Sequence, residues 1–320
     1  MKNKLAVLAA LCAMAALLMA SAQVMDSSRY ALRLCADLIL PSLFPFFVLC
    51  GLLSRLGFPA FLGRLLSPAA SRLFRVSGRG ASALVVGLSG GYPMGAAYIA
   101  DMQQSGQIST QEAERLLAFC NNSGPAFIMG AVGVGVFGSA KIGLILYLVH
   151  IGAALGTGVL FRWLGQPEEL GSAAVLLEPM RMAAALPESV RQAVLSVLNV
   201  CGFVVCFTVF TGLLDAGGFF SAAAGFLASV TGMELQGARS LLTGFLELGS
   251  GVGAMRGLSA SPAALALAAW VLGWGGVSVQ FQTMSVLTDT EMKSALHMAG
   301  RLISACIGAA LAYTAGLLFL

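Results

Sequence analysis

Four apolar stretches of this 320-residue chain are interrupted near their centres by residues that break helices or carry polar side chains. Ala81–Ala100 is broken at Ser89-Gly90-Gly91-Tyr92-Pro93, and Leu116–Phe137 at Asn121-Asn122-Ser123-Gly124-Pro125. Ala238–Met255 is broken at Glu247-Leu248-Gly249-Ser250-Gly251, and Pro262–Leu287 at Trp274-Gly275-Gly276-Val277-Ser278. A bilayer crossing needs about 20 apolar residues, so halves of about ten cannot each span. Backbone groups freed by a break are tolerated at membrane depth only inside protein or along a polar cavity. The pattern therefore restricts the fold to an all-α bundle whose broken elements gather around an interior site.

Composition places that bundle in a membrane. Hydrophobic residues make up 58% and charged residues 10%, with mean hydropathy +0.89. A soluble domain carries about 25% charged residues, because its surface meets water. The net charge of +4 is small, and nucleic-acid binding is not expected. Cys12, Cys35, Cys50, Cys120, Cys201, Cys206 and Cys306 lie in apolar stretches without C-x-x-C spacing, so they read as buried free thiols. With two isolated His, no Walker A loop and no H-E-x-x-H pair, neither a cofactor nor a metal site is expected. The 39 Gly fit a membrane bundle, where Gly serves close helix contacts and breaks.

Residues 1-24 carry Lys2 and Lys4, an apolar run from Leu5 to Ala20, and small residues Ala20-Ser21-Ala22. They read as a first transmembrane helix or signal anchor, and a signal peptide fits the same letters. Residues 25-164 form a first repeat. It contains a span at Ala31–Leu53 kinked by Pro41 and Pro45, and a basic amphipathic stretch Ser54–Gly80 suited to the membrane surface. Hairpin 1 follows at 81-100, then the interrupted segment Leu116–Phe137 and a span at Ile142–Phe161. Residues 165-188, with Glu168, Glu169, Glu178, Arg181 and Glu188, form a polar cytoplasmic linker.

Residues 189-320 repeat the order: Val190–Leu214, a short amphipathic Phe219–Val230, hairpin 2 at 238-257, the interrupted Pro262–Leu287, and Leu302–Leu320. Ile151-Gly152-Ala153-Ala154-Leu155 recurs as Ile307-Gly308-Ala309-Ala310-Leu311, and Gly80 and Gly87 recur as Gly237 and Gly244. Three crossings per half, with a re-entrant hairpin that crosses none, invert the second half. About seven spans result in all. Inverted repeats with paired broken helices mark secondary transporters. With the N-terminus cytoplasmic, Lys2, Lys4, Arg55, Arg64, Arg72, Arg75, Arg79, Arg115, Arg162, Arg181, Arg191, Lys293 and Arg301 fall inside. Only Arg29, Arg33, Lys141, Arg239 and Arg256 fall outside. The positive-inside rule then sets the C-terminus outside.

Half-helix N-termini present free N–H groups and partial positive charge, suited to an anionic or polar ligand. Candidate substrate-binding residues are Ser89, Gly90, Gly91, Tyr92, Pro93, Asn121, Asn122, Ser123, Gly124, Glu247, Gly249, Ser250, Ser278 and Gln280, with Gln282 just beyond. Ser and Asn in membrane helices also bond neighbouring helices without any ligand. Glu247 is the carboxylate nearest mid-depth and the ion-coupling candidate; pairing with Arg239 or Arg256 is the structural alternative. His150 reads as a neutral His bonded to a neighbour, Trp270 and Trp274 as packing residues, and His297 with Lys293 and Arg301 as an interfacial cluster without a role.

Gly87-Leu88-Ser89-Gly90 matches the G-x-S-G of rhomboid intramembrane proteases, with His150 as a base. The tetrapeptide arises readily by chance in a chain this rich in Gly and Ser, and no enzyme is expected. At Gly90-Gly91-Tyr92-Pro93-Met94-Gly95, Asn121-Asn122-Ser123-Gly124-Pro125-Ala126-Phe127 and Pro41-Ser42-Leu43-Phe44-Pro45-Phe46 the chain resembles another family. These motifs are similar to the YlbJ-type sporulation integral membrane proteins, which carry the nucleoside-recognition Gate domain. Their core is similar to concentrative nucleoside transporters, which have two hairpins and two broken helices and often form trimers. The resemblance implies a lipid-embedded carrier, a homo-oligomer, and export of dipicolinic acid from the mother cell across the outer forespore membrane. Its rivals are a nucleoside or polar-metabolite carrier coupled to Na⁺ or H⁺, and a non-transporting scaffold for spore assembly.

Overall fold

The computed structural model describes residues 2–165 and 180–320. Most of the expected linker 165-188 lies outside them. The described chain is helical throughout. Helix α1 (Lys2–Met19) leads into α2 (Ser21–Leu34), a π-helical turn at Cys35–Ile39, and α3 (Leu40–Arg55). Pro41 and Pro45 supply no N–H to the ladder, and the π turn stands immediately before them. The amphipathic α4 (Phe58–Phe74) follows, then α5 (Ala81–Ser89) and α6 (Met94–Gln104). Next come α7 (Thr110–Phe119), a π-helical stretch at Phe127–Val134, and α8 (Ala140–Phe161).

The second half runs α9 (Met182–Ala216), α10 (Phe219–Thr231), α11 (Leu235–Leu246), α12 (Leu248–Ala254), α13 (Pro262–Trp274), α14 (Gly276–Val286) and α15 (Ala295–Phe319). Local chemistry explains several starts. Ser109, Ser139 and Ser261 each accept a backbone N–H from the first turn of α7, α8 and α13, and Pro262 opens α13. Ser is a favoured N-cap and Pro a favoured first residue.

Among the described residues, five helical segments are long and apolar enough to cross a membrane: Ser21–Arg55, Ala140–Phe161, Met182–Ala216, Pro262–Val286 and Ala295–Phe319. The sequence reading counts about seven. Of the other two, α1 has 18 residues, about 27 Å of helix. The interrupted segment divides into a ten-residue α7 and an eight-residue π stretch. Boundaries also move. The first span begins ten residues before Ala31, at Ser21, because α2 continues the same helix and already buries Ser27 along with Ala31 and Leu34.

Two long pairs organise the bundle. The 35-residue segment Ser21–Arg55 lies antiparallel to the 35-residue α9, with Gly212 against Ser27 and Gly51 against Ser189. Likewise α8 lies antiparallel to α15: Gly152 faces Leu311, Gly308 faces Ala153, and Lys141 Nζ donates to the Phe319 carbonyl at 2.9 Å. The Ile-Gly-Ala-Ala-Leu copies thus pack on each other. Between these pairs sit two antiparallel hairpins. Tyr98 Oη donates to Ser82 Oγ at 3.0 Å across α5 and α6, and Gln236 Nε2 donates to the Ala254 and Arg256 carbonyls across α11 and α12.

The expectation of buried thiols holds for Cys35 and Cys120 only; Cys12, Cys206 and Cys306 are exposed on outer faces and Cys50 and Cys201 are intermediate. An apolar thiol suits a lipid-facing position as well as a core.

Hairpin 1 reaches its place through glycine. A Cβ on Gly87 would collide with the Cys120 carbonyl, as would one on Gly95. Gly87→Ala should therefore lower stability by roughly 1–3 kcal/mol or more, the range for overpacking. Gly130, with nothing within 4 Å of its Cβ position, is the control. Thermal unfolding in detergent should show a clear drop for Gly87→Ala and little change for Gly130→Ala.

Candidate functional site

The four breaks meet. Gly91, at the tip of hairpin 1, packs against Gly124 of the first interrupted helix, where a Cβ would stand 3.1 Å from the Gly124 backbone. Tyr92 Oη lies against Gly275 of the second interrupted helix. Gly276, beside it, lies against Glu247 and Leu248 at the tip of hairpin 2. Ser123 Oγ donates to the Leu272 carbonyl at 3.4 Å, joining the two interrupted helices. Gly275 and Gly276 have φ of +81° and +85°, a region that residues with a Cβ rarely enter, so this break is encoded by the Gly-Gly pair.

Between the tips is a cavity of about 50 Å³, bordered by Tyr92, Ser123, Phe127, Glu247, Val279 and Gln282 among others. Ligand pockets usually occupy about 300–1,000 Å³, so the tips are closed on one another in this conformation. A larger polar pocket of about 360 Å³ lies on the other side of hairpin 2, bordered by Tyr30, Thr208, Asp215, Arg239 and Ser250. There Arg239 pairs with Asp215.

Glu247 pairs with neither Arg239 nor Arg256. Its carboxylate turns back to cap its own half-helix: Oε1 accepts from Gly249 N at 2.9 Å and Oε2 from Ser250 N. The expectation of free N–H donors at this half-helix is corrected, since the positive end of α12 is already met by a carboxylate. Glu247 is buried and still borders the cavity.

The asparagines are committed to the scaffold. Asn121 Oδ1 accepts from Ala96 N at 3.3 Å and its Nδ2 donates to Thr283 Oγ1 at 2.9 Å. Asn122 Nδ2 donates to the Gly87 and Phe119 carbonyls at 3.1 and 2.8 Å, and its Oδ1 accepts from Arg301 at 2.8 Å. Both amides therefore tie hairpin 1 to the first break rather than facing the cavity.

The remaining candidates divide in the same way. Gly91, Tyr92, Ser123, Gly124, Glu247 and Gly249 border the cavity. Ser250 instead bonds Thr208 across 2.8 Å at the outer pocket. Ser89 Oγ bonds back to the Val85 carbonyl at 2.6 Å, and Gly90 N donates to Val86 O; neither borders the cavity. Pro93 follows a cis Tyr92-Pro93 bond and precedes α6. Ser278 is fully buried, with its hydroxyl near the Glu247 carboxylate. Gln280 Nε2 donates to the Trp274 carbonyl at 3.0 Å, closing the second break.

His150 Nε2 accepts from Ser123 N at 3.2 Å, and Ser89 bonds elsewhere, so the two do not pair. Trp274 stacks on Phe245 with centroids 5.4 Å apart and donates to its carbonyl, a packing role. Arg301 and His297, expected at an interface, are instead buried at the centre. Arg301 Nη1 donates to Tyr92 Oη at 3.2 Å, Asn121 O at 2.8 Å and Asn122 Oδ1 at 2.8 Å. Sequence reasoning also misses Thr283 and Thr208. Thr283 lies one residue from Gln282, and a polar spacing along α14 is the signal that points to it.

Over 306 residues the chain is 33% identical to the sporulation integral membrane protein YlbJ of Bacillus subtilis, covering 87% of this chain and 74% of that protein. It belongs to the YlbJ family. The Gate family model, described as nucleoside recognition, matches residues 38–140 of this YlbJ-family chain. That match takes in hairpin 1 and the first break, and ends before Glu247 and Arg301. A solved structure of a doubly substituted CNTnw in an outward-facing state is similar over 98% of this chain and 84% of that one. Sequence identity there is 14% and the TM-score 0.47.

Since Asn122 serves two carbonyls and a guanidinium, Asn122→Ala should act on folding. It strands buried polar groups that cost about 1–3 kcal/mol apiece. The measurement is thermal unfolding of the purified variant, with a marked fall in Tm expected and an unchanged Tm contradicting this assignment.

Proposed function

We propose that this YlbJ-family protein is a secondary-type carrier that exports a small anionic metabolite during sporulation, working by alternating access. Dipicolinate leaving the mother cell across the outer forespore membrane is the substrate this reading favours. The observation that carries it is the meeting of two hairpin tips and two interrupted helices on one small, mostly apolar cavity bordered by Ser123, Glu247 and Gln282. Broken helices at a shared centre are how carriers build a substrate site inside a bilayer. The antiparallel pairs, Ser21–Arg55 with α9 and α8 with α15, support an inverted repeat of 25-164 and 189-320 joined by a cytoplasmic linker. The N-terminus is cytoplasmic and the C-terminus outside in this reading, and hairpin 1 opens inward while hairpin 2 opens outward.

In this mechanism the tips Gly91-Tyr92 and Glu247–Gly249 separate to admit substrate, and Ser123 and Gln282 line its path. Glu247 supplies the coupling charge. Its oxygens exchange between the α12 backbone N–H groups and a proton or cation as the tip moves. A second reading keeps the same machinery for a nucleoside or another polar metabolite, imported with Na⁺ or H⁺. The Gate description and the carboxylate beside the cavity favour it over a scaffold.

The test is complementation of Bacillus subtilis lacking YlbJ, with dipicolinate measured in the purified spores. This chain should restore dipicolinate, and Glu247→Gln should fail to do so while accumulating to similar levels in the membrane fraction. Equal rescue by Glu247→Gln would remove Glu247 from the mechanism. Well-expressed wild type with no rescue would sink the dipicolinate assignment and bring the nucleoside reading forward.

A further inference from the structure

One face of α15 carries an unfinished polar site. His297, Arg301 and Ser304 stand four and three residues apart, so they share that face, and each is at most 1% exposed. The chain satisfies only one end of the Arg301 guanidinium. Nη1 is held by Tyr92 Oη, Asn121 O and Asn122 Oδ1, whereas Nε and Nη2 are buried without any acceptor. Ser304 Oγ and His297 Nε2 are likewise buried and unpartnered. His297 Nδ1 lies 3.0 Å from the Leu117 carbonyl. A carbonyl only accepts, so Nδ1 carries the hydrogen and Nε2 of the neutral ring is an acceptor.

Among the described residues Arg301 joins no ion pair. A buried cation without a counter-ion is costly to hold in the interior of a protein. A counter-charge brought by a ligand removes that penalty. The open edge also has a definite shape. Nε–H and Nη2–H point side by side, the fork that meets the two oxygens of a carboxylate in parallel hydrogen bonds. The edge facing Tyr92 and Asn122 is taken, so the guanidinium is already oriented. Charge favours one carboxylate here over phosphate, because a single buried cation matches a single negative charge.

We propose that the Nε–Nη2 edge of Arg301 is a carboxylate-binding subsite, with the Ser304 hydroxyl as an additional donor. Its ligand is a planar carboxylate group of the transported anion, which rests on the carrier reading above. Tyr92 connects the subsite to the central cavity: its hydroxyl holds Nη1 while its ring borders that cavity. Withdrawal of the hairpin 1 tip, which carries Tyr92, opens the route. Arg301 thereby reads the acid group while Glu247 handles the coupling charge on the opposite hairpin.

The test is thermal unfolding of the purified full chain titrated with benzoate, dipicolinate, dipicolinic diamide, inorganic phosphate, chloride and uridine. Wild type should be stabilised by carboxylates and not by the diamide. Arg301→Lys keeps the charge but loses the fork, and should weaken the apparent carboxylate affinity by about tenfold or more. Ser304→Ala breaks no hydrogen bond within the chain, so it should fold normally and weaken carboxylate binding several-fold; it decides the matter if Arg301→Lys does not fold. Stabilisation by benzoate but not dipicolinate, lost in both variants, upholds the subsite and removes the dipicolinate reading. Dipicolinate binding that is equal in wild type and both variants upholds the substrate and overturns the subsite. No stabilisation of wild type by any carboxylate, or an equal response to chloride alone, also overturns it.

Discussion

A helix broken inside a membrane bundle strands backbone N–H and C=O groups, and the structure answers each break with a polar side chain drawn from a break or from a neighbouring helix. Asn122 serves the carbonyls of Gly87 and Phe119; Asn121 receives Ala96 N; Ser123 reaches the Leu272 carbonyl; Gln280 covers Trp274; Glu247 caps α12. An unmade hydrogen bond of this kind costs about 1–3 kcal/mol. The tips therefore cannot shift independently. Moving one requires exchanging this set of bonds for another, which is what gating in the proposed carrier would demand.

Much of this was legible in the letters. The four breaks are written as Gly, Pro and polar clusters inside apolar runs, and the fold places all four together. The two Ile-Gly-Ala-Ala-Leu copies, at 151–155 and 307–311, also lie one on the other. Other features were not legible, for physical reasons. A side chain's direction is not encoded by its type, so Ser89, bonded to Val85, looked the same as Ser123, which borders the cavity. Asn122 looked like a ligand because its partners are backbone carbonyls, and carbonyls leave no mark in a sequence. The span read from Ala31 begins instead at Ser21, because the residues before Ala31 continue the same helix.

Arg301 shows the limit most clearly. Near the start of an apolar helix, with Lys293 and His297 close by, it reads as an interfacial cation without a role. In the fold it donates to Tyr92 and Asn122, which lie 209 and 179 positions away. Only the tertiary structure brings a cation to the hairpin 1 side of the cavity, with a carboxylate on the hairpin 2 side. In the proposed carrier these opposite charges divide the work between the two moving elements. Arg301 recognises the acid group, and Glu247 responds to the driving ion.

The measurement that bears most directly on a carrier built from these four breaks is counterflow in proteoliposomes. Vesicles containing the purified protein would be loaded with unlabelled dipicolinate and diluted into a trace of labelled dipicolinate. Transient accumulation of label inside, absent from protein-free vesicles, is the predicted result. Label that enters no faster than in protein-free vesicles, with the protein correctly inserted, would contradict the account.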